Sequence, residues 1–247
     1  MRRGAVLAAG LLLVGVTGLS GCGTGARPRA EVVVPSPCAG QREVVLRALD
    51  QSPLHVDVTG DGKPDTVAAV SDATAPKPCR GLVAVRTDGA VHIAHLIPAA
   101  VPIEGVSARV VGVPRLGRHR GAAIVVDTGA AVDAVLAQLF TFTNRGLHPV
   151  NVPGEPDGSF IVEGGGLMFP HAARCTGNGR LVVSQAMQTQ DGRRFKVTRR
   201  VYELDRAGLR LSLLAVQRAT VPLRRLGSRF PEFAGDHWQA CTERPTH

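Results

Sequence analysis

Nine residues, Asp57 to Asp65 (DVTGDGKPD), concentrate the oxygen chemistry of this chain: three carboxylates at every fourth position, a threonine hydroxyl and two glycines. Counting Asp57 as position one, Asp57, Thr59, Asp61, the Lys63 backbone carbonyl and Asp65 take positions one, three, five, seven and nine. Gly62 falls at position six, where a chain wrapped around a hard cation must turn sharply. Ca²⁺ prefers such oxygen donors in a flexible shell, so the loop reads as a calcium cradle. Position twelve, where an EF-hand supplies a bidentate glutamate, is Ala68, and the run Thr66 to Val70 that follows is a β-type segment. An affinity on the order of 10⁻⁴–10⁻³ M follows, the range of extracellular sites. The competing reading is a solvated Asp/Gly turn, which these residues form without metal. Three close carboxylates repel one another, and that repulsion favours the ion.

Other residues offer less chemistry. His92 and His95 are three apart, which on a strand puts them on opposite faces and makes them poor co-ligands. Ser107 sits in GVSAR, without the second glycine of a nucleophile elbow. Gly164-Gly165-Gly166 lacks the spacing of a dinucleotide fingerprint, and Gly60 to Lys63 lacks the span of a Walker loop. Glu104, Glu155, Asp157 and Glu163 are the carboxylates from which a glycoside-cleaving pair would be drawn, and scattered over loops they read as solvated. No catalytic constellation emerges, and a non-enzymatic role is expected. In Arg193 to Tyr202, alternation puts Arg194, Lys196, Thr198 and Arg200 on one side of a strand, with Phe195, Val197 and Val201 opposite. Arg224 and Arg225 lie further on. Such a stripe suits anionic lipid headgroups or envelope polyanions; equally, it suits an edge strand protected by charge.

The elements that must position these groups come next, starting with the address. Arg2 and Arg3, the apolar run Ala5 to Val16, and Leu19-Ser20-Gly21-Cys22 have the layout of a secretory signal. The tetrapeptide resembles the lipobox of bacterial lipoproteins. The resemblance implies cleavage after Gly21 and a diacylglycerol on Cys22. The apolar run is shorter than the roughly 20 residues needed to span a bilayer. Residues 23 to 36, small and Pro-containing, read as the rest of a flexible tether that begins at Cys22. Residues 37 to 247 then form the folded part. Its cysteines, Cys38, Cys79, Cys175 and Cys241, are an even number in an exported chain and argue for two disulfides. Of the three possible connectivities, Cys38–Cys79 with Cys175–Cys241 is preferred because it staples the two ends separately. The net charge is +9 and aromatics are 4%; export and the lack of a reading motif argue against a nucleic-acid partner.

The folded part repeats. Thr59-Gly60-Asp61-Gly62-Lys63, Leu116-Gly117-Arg118-His119-Arg120-Gly121 and Thr176-Gly177-Asn178-Gly179-Arg180 each lead into an apolar run, at offsets of 57 and 60 residues. Asp88-Gly89, Arg145-Gly146 and Ala207-Gly208 follow as hairpin turns, their glycines 57 and 62 apart. Each unit reads as glycine turn, strand, connection, strand, tight turn, strand. The units run at about 54–113, 114–173 and 174–222, followed by a C-terminal cap. One short helix is expected near Gln41 to Gln51, where Val44, Val45, Ala48 and Leu49 fall at helical spacing. The fold class is mainly β: antiparallel β-meander repeats, a partial or small β-propeller-like arrangement.

Units of this size headed by an acidic loop resemble the FG-GAP and VCBS-type repeats of β-propeller proteins, over roughly residues 54 to 222. The first loop is similar to the short calcium loops of that family and of dockerins, and the resemblance implies a structural calcium ion in that copy alone. Arg118 and Arg120 replace acids in the second copy, and the third is acid-poor. The expected function is a lipid-anchored, calcium-stabilised β-repeat module on the outer face of the cell membrane, binding or scaffolding an unknown protein partner or a polyanion. The alternative is an envelope hydrolase or carbohydrate-active protein with its site in the inter-repeat loops.

Overall fold

The structure, a computed structural model, describes residues 31–33, 36–96, 107–129, 131, 133–155, 158–235 and 237–242. The signal segment, Cys22, Glu104 and Asp157 lie outside the described residues.

The chain enters through β1 (Glu31–Val33) and a short helix, α1 (Arg42–Gln51). A first antiparallel meander follows: β2 (His55–Val56), β3 (Asp65–Ser71), β4 (Gly81–Arg86) and β5 (Ala90–His95). The second is β6 (Arg109–Gly112), β7 (Ile124–Asp127), β8 (Ala134–Thr143) and β9 (Gly146–Val150). After β10 (Phe160–Gly164) the third is β11 (His171–Cys175), β12 (Leu181–Gln188), β13 (Arg194–Leu204) and β14 (Leu211–Pro222). The mainly β, antiparallel meander architecture expected from the repeats is thus what the chain forms. Strand β10 pairs with the start of β8 and with β11, so the second and third meanders share one nine-stranded sheet that runs from β6 to β14 without closing into a barrel.

The meanders pack face to face because their strands alternate. On β7, Ile124 and Val126 pack with Val67, Val83, Val85 and Ala94 of the first meander and with Phe140. Val125, between them, packs the other way with Leu181, Val183, Tyr202 and Leu204 of the third. Strand β7 is therefore buried on both faces, and its run of apolar residues, AAIVV from Ala122, is the composition such a strand requires.

Both ends of the stack are capped. Helix α1 lays Val45 and Leu49, one turn apart, on Ala68, Val70, Leu82 and Ala84 of the first meander. At the other end, Leu226, Phe230 and Phe233 cover Ala186, Phe195, Val197 and Val221. They come from 3₁₀ turns and a single-turn helix, α2 (Leu226–Arg229), that the sequence pattern did not anticipate. Glu232 anchors this cap: fully buried, it accepts from the Ser184 hydroxyl at 2.5 Å and from Arg199 at 3.1 Å. The disulfides are Cys38–Cys79 and Cys175–Cys241, the preferred pairing.

The end of the stretch expected as tether, residues 22 to 36, carries described structure. Glu31–Val33 pairs in parallel with β5 (Glu31↔Ala90, Val33↔His92), and Ser36–Gln41 is a 3₁₀ turn. The cause is local: β-branched valines favour extended backbone, and the outer edge of β5 offers unpaired N–H and C=O groups.

Candidate functional site

The acidic loop folds around its first carboxylate. Asp57 Oδ1 accepts from the Gly60 amide at 2.6 Å, the Asp61 amide at 3.2 Å and the Thr59 hydroxyl at 3.5 Å. Its Oδ2 accepts from the Gly62 amide at 3.1 Å and the Arg115 guanidinium at 3.4 Å. Asp65 is buried, and its Oδ2 accepts from the amides of Val58 and Thr59 at 3.0 and 3.1 Å. Burial pushes this carboxyl above its usual range, against the pull of those two amides. Asp61 caps the Lys63 amide at 2.8 Å, and the Lys63 ammonium pairs with Asp88 in the next hairpin. All three carboxylates are turned onto backbone amides. Among the described residues no three His, Cys, Asp or Glu side chains gather as a metal-ligand set.

The same loop is a docking piece between repeats. The Ala122 amide donates to the Asp57 carbonyl at 2.9 Å. A Cβ on Gly121 would stand 1.9 Å from the Val58 carbonyl oxygen, so only glycine lets the second turn seat on the first. The Gly117 amide donates in turn to the Gly179 carbonyl at 2.7 Å. The three glycine turns found as a sequence repeat thus sit against one another in order.

The basic strand has a different character. Lys196 lies opposite Met187 of β12 and Thr220 of β14, and Thr198 lies opposite Gln185 and Arg218. These six side chains line one groove of about 500 Å³ on the third meander. Arg194, Lys196 and Arg218 are exposed. The expected trio of Arg194, Lys196 and Arg200 is split: Arg200 is held by Glu155 at 3.1 Å. Burial pushes the Glu155 carboxyl up, with Arg200 opposing, and pushes the neighbouring Tyr202 phenol up to about 12; Tyr202 donates to the Pro153 carbonyl at 2.8 Å. Arg199, on the opposite side, is taken by Glu232 and by Gln217 at 3.1 Å.

Beside this face the segment Met168 to Pro170 continues the edge of β12, since the amides of Ala186 and Gln188 donate to the carbonyls of Pro170 and Met168, each at 2.9 Å. That register places Phe169 beside Met187 in the row that continues to Lys196 and Thr220. Sequence reasoning missed both this apolar segment and Arg218. Leu-Met-Phe reads as core in a sequence, and Arg218 joins the groove only through the β13–β14 register. The triple glycine before them was the available signal.

The remaining candidates are separated. His92 stands edge-on to Phe142 at 4.8 Å, while His95 contacts the Pro78 carbonyl at 2.6 Å. Glu163 contacts His237 at 3.1 Å beside Trp238, in a groove of about 440 Å³, and His237 also contacts the Ala173 carbonyl. Glu155 and Glu163 are therefore committed to different partners. Ser107 is exposed.

Comparison of the chain with models of known protein families, with curated proteins and with solved structures finds no match.

Proposed function

We propose that this chain is an extracytoplasmic lipoprotein, held at the outer face of the cell membrane by an acylated Cys22. Its β-repeat domain is a non-enzymatic module that binds an anionic partner through the uncovered face of the third meander. The observation that carries this reading is a contrast among cations. Arg86, Arg109, Arg115, Arg199 and Arg200 are each paired with a carboxylate, whereas Lys196 and Arg218, diagonal neighbours across β13 and β14, face outward into one groove with no carboxylate partner among the described residues. Asp191 sits at the hairpin tip beside Arg194, where hydrogen bonds from Thr189 and Arg193 hold its carboxyl below the usual range. Two disulfides suit an oxidising compartment.

Two experiments test the proposal. With a photo-crosslinker at Thr198 on intact cells, the parent should yield a crosslinked species that Lys196→Glu/Arg218→Glu loses; no crosslink in either protein would sink the binding assignment. Cys22→Ala should abolish acyl labelling and release the protein from the membrane fraction.

Calcium is a second, separable reading of the acidic loop. It is favoured by Gly62, which makes the sharp turn at position six with φ of 87°, and by the central place of Asp57. Asp57, Thr59, Asp61, the Lys63 carbonyl and Asp65 would hold the ion, which must displace Arg115 and some of the amides to bind. Millimolar Ca²⁺ should raise the melting temperature of the parent and leave Asp61→Ala unchanged. A parent indifferent to Ca²⁺ removes the ion from the description.

A further inference from the structure

We infer that the anionic partner of this face is a bilayer surface containing anionic lipid, into which the Gly164–Pro170 loop inserts an apolar tip. The inference rests on the anion-binding reading above and names its partner.

Four apolar side chains at this place project into water: Leu167 is 93% exposed, Met168 57%, Phe169 47% and Met187 48%. Contiguous exposed apolar surface of this kind, rimmed by polar residues, marks a site where another phase or molecule covers it. The loop holds its shape. Gly164, Gly165 and Gly166 all have positive φ, and a Cβ on Gly165 would stand 2.4 Å from the Phe169 carbonyl oxygen, so the chain doubles back tightly. The carbonyls of Met168 and Pro170 are then bonded to β12. The tip is thus pinned to the sheet that carries the cations.

Spacing selects the occupant. With strands about 4.8 Å apart, Lys196 lies two strands from Phe169, about 10 Å away, and Arg218 one row further along the sheet. With this sheet edge leading, an apolar tip about 10 Å across the sheet from the cations reaches the 5–10 Å depth to which interfacial segments enter a membrane, with the cations left at the phosphates. A soluble polyanion would engage Lys196 and Arg218 yet leave Leu167 to Phe169 in water. Eight residues, 23–30, separate Cys22 from Glu31, nine chain steps with a reach of about 30 Å, so an acylated chain holds its domain close to such a surface.

The test uses the full chain carrying Leu167→Trp, with the parent supplying the constant emission of buried Trp238. On vesicles rich in anionic lipid, the introduced indole should shift its emission to shorter wavelength and be quenched by brominated acyl chains. Adding Lys196→Glu/Arg218→Glu should weaken vesicle binding about 30-fold or more, at about fivefold per basic residue. Adding Met168→Asp to the Leu167→Trp chain should leave vesicle binding but abolish the emission shift and the quenching, while keeping the melting temperature of the Leu167→Trp chain. All variants share one N-terminus, so the anchor cannot produce the difference. Binding to anionic vesicles with an unmoved indole overturns the insertion and leaves the anion-binding reading standing. A charge-dependent response to polyphosphate alone, or to an envelope protein fraction alone, does the same. Vesicle and polyphosphate binding that ignore the charge reversals overturn both.

Discussion

Two glycine-rich loops of this molecule direct their side chains in opposite ways. Asp57 to Asp65 gathers its carboxylates inward onto its own amides and onto Arg115, and the closed loop seats against the second repeat. Gly164 to Pro170 pins its backbone to β12 and turns Leu167, Met168 and Phe169 outward. The first loop satisfies itself and so belongs to the architecture, with or without an ion. The second leaves apolar surface unsatisfied, next to Lys196 and Arg218, which have no carboxylate partner among the described residues. Charged residues drew attention to the first; the second carries the stronger case for an external partner.

Substitutions can break this contrast or sharpen it. The largest effect is expected at Gly121→Ala, where the added Cβ meets the Val58 carbonyl: about 3 kcal/mol lost in denaturant unfolding, since backbone on both sides must move. Asp57→Ala, which orphans several loop amides, should cost about 2 kcal/mol in the absence of any divalent ion. A loss under about 0.5 kcal/mol would mean that the loop does not lock the repeats. Gly166→Ala in the outer loop meets nothing within 4 Å and strains only a φ of 73°, so about 1 kcal/mol is expected.

The pH dependence has two signs. Burial lowers the imidazole pKa of His92, His119 and His171. The unfolded chain therefore binds more protons below about 6.5, and stability should rise as pH climbs from about 5 to 7. Burial raises the carboxyls of Asp65 and Glu155, so the native state binds more protons there and stability should fall as pH rises through the acid range just above 4. Urea midpoints across pH 3.5–7.5 should fall through the carboxyl range and rise again through the imidazole range. A flat line from 5 to 7 would contradict the buried imidazoles. The smallest effect is Leu167→Asp, within about 0.5 kcal/mol of the parent, because nothing packs on a side chain so exposed.

Much of the frame was legible in the sequence because its signals are local. Glycines at 60, 117 and 179 adopt positive φ in turns that head strands, and alternation correctly set Phe195 and Val197 inward against Lys196 outward. Helix α1 showed in its i, i+4 pair Val45 and Leu49. What failed depends on distant partners. Arg200 has the right parity for a free cation, yet a half-buried Glu155 forty-five residues away claims it. Strand β10 carries strong β-formers in Phe160, Ile161 and Val162, but it falls outside the turn–strand pattern of the repeats, and its place is set by the edges that β8 and β11 present to it. The C-terminal cap rests on Glu232 finding Ser184 and Arg199, a pairing that no spacing encodes. Exposure of Leu167 is likewise a tertiary fact.

The parallel pairing of β1 with β5 has a consequence for occupancy. On the proposed acylation of Cys22, the ordering of Glu31–Val33 leaves eight residues, 23–30, between the anchor and the first strand. An anchor at that spacing would set the effective concentration of the domain at the membrane in the millimolar range. A face with only millimolar intrinsic affinity would then be engaged about half the time, and detachment of β1 would lower that fraction without altering a single contact at the face itself.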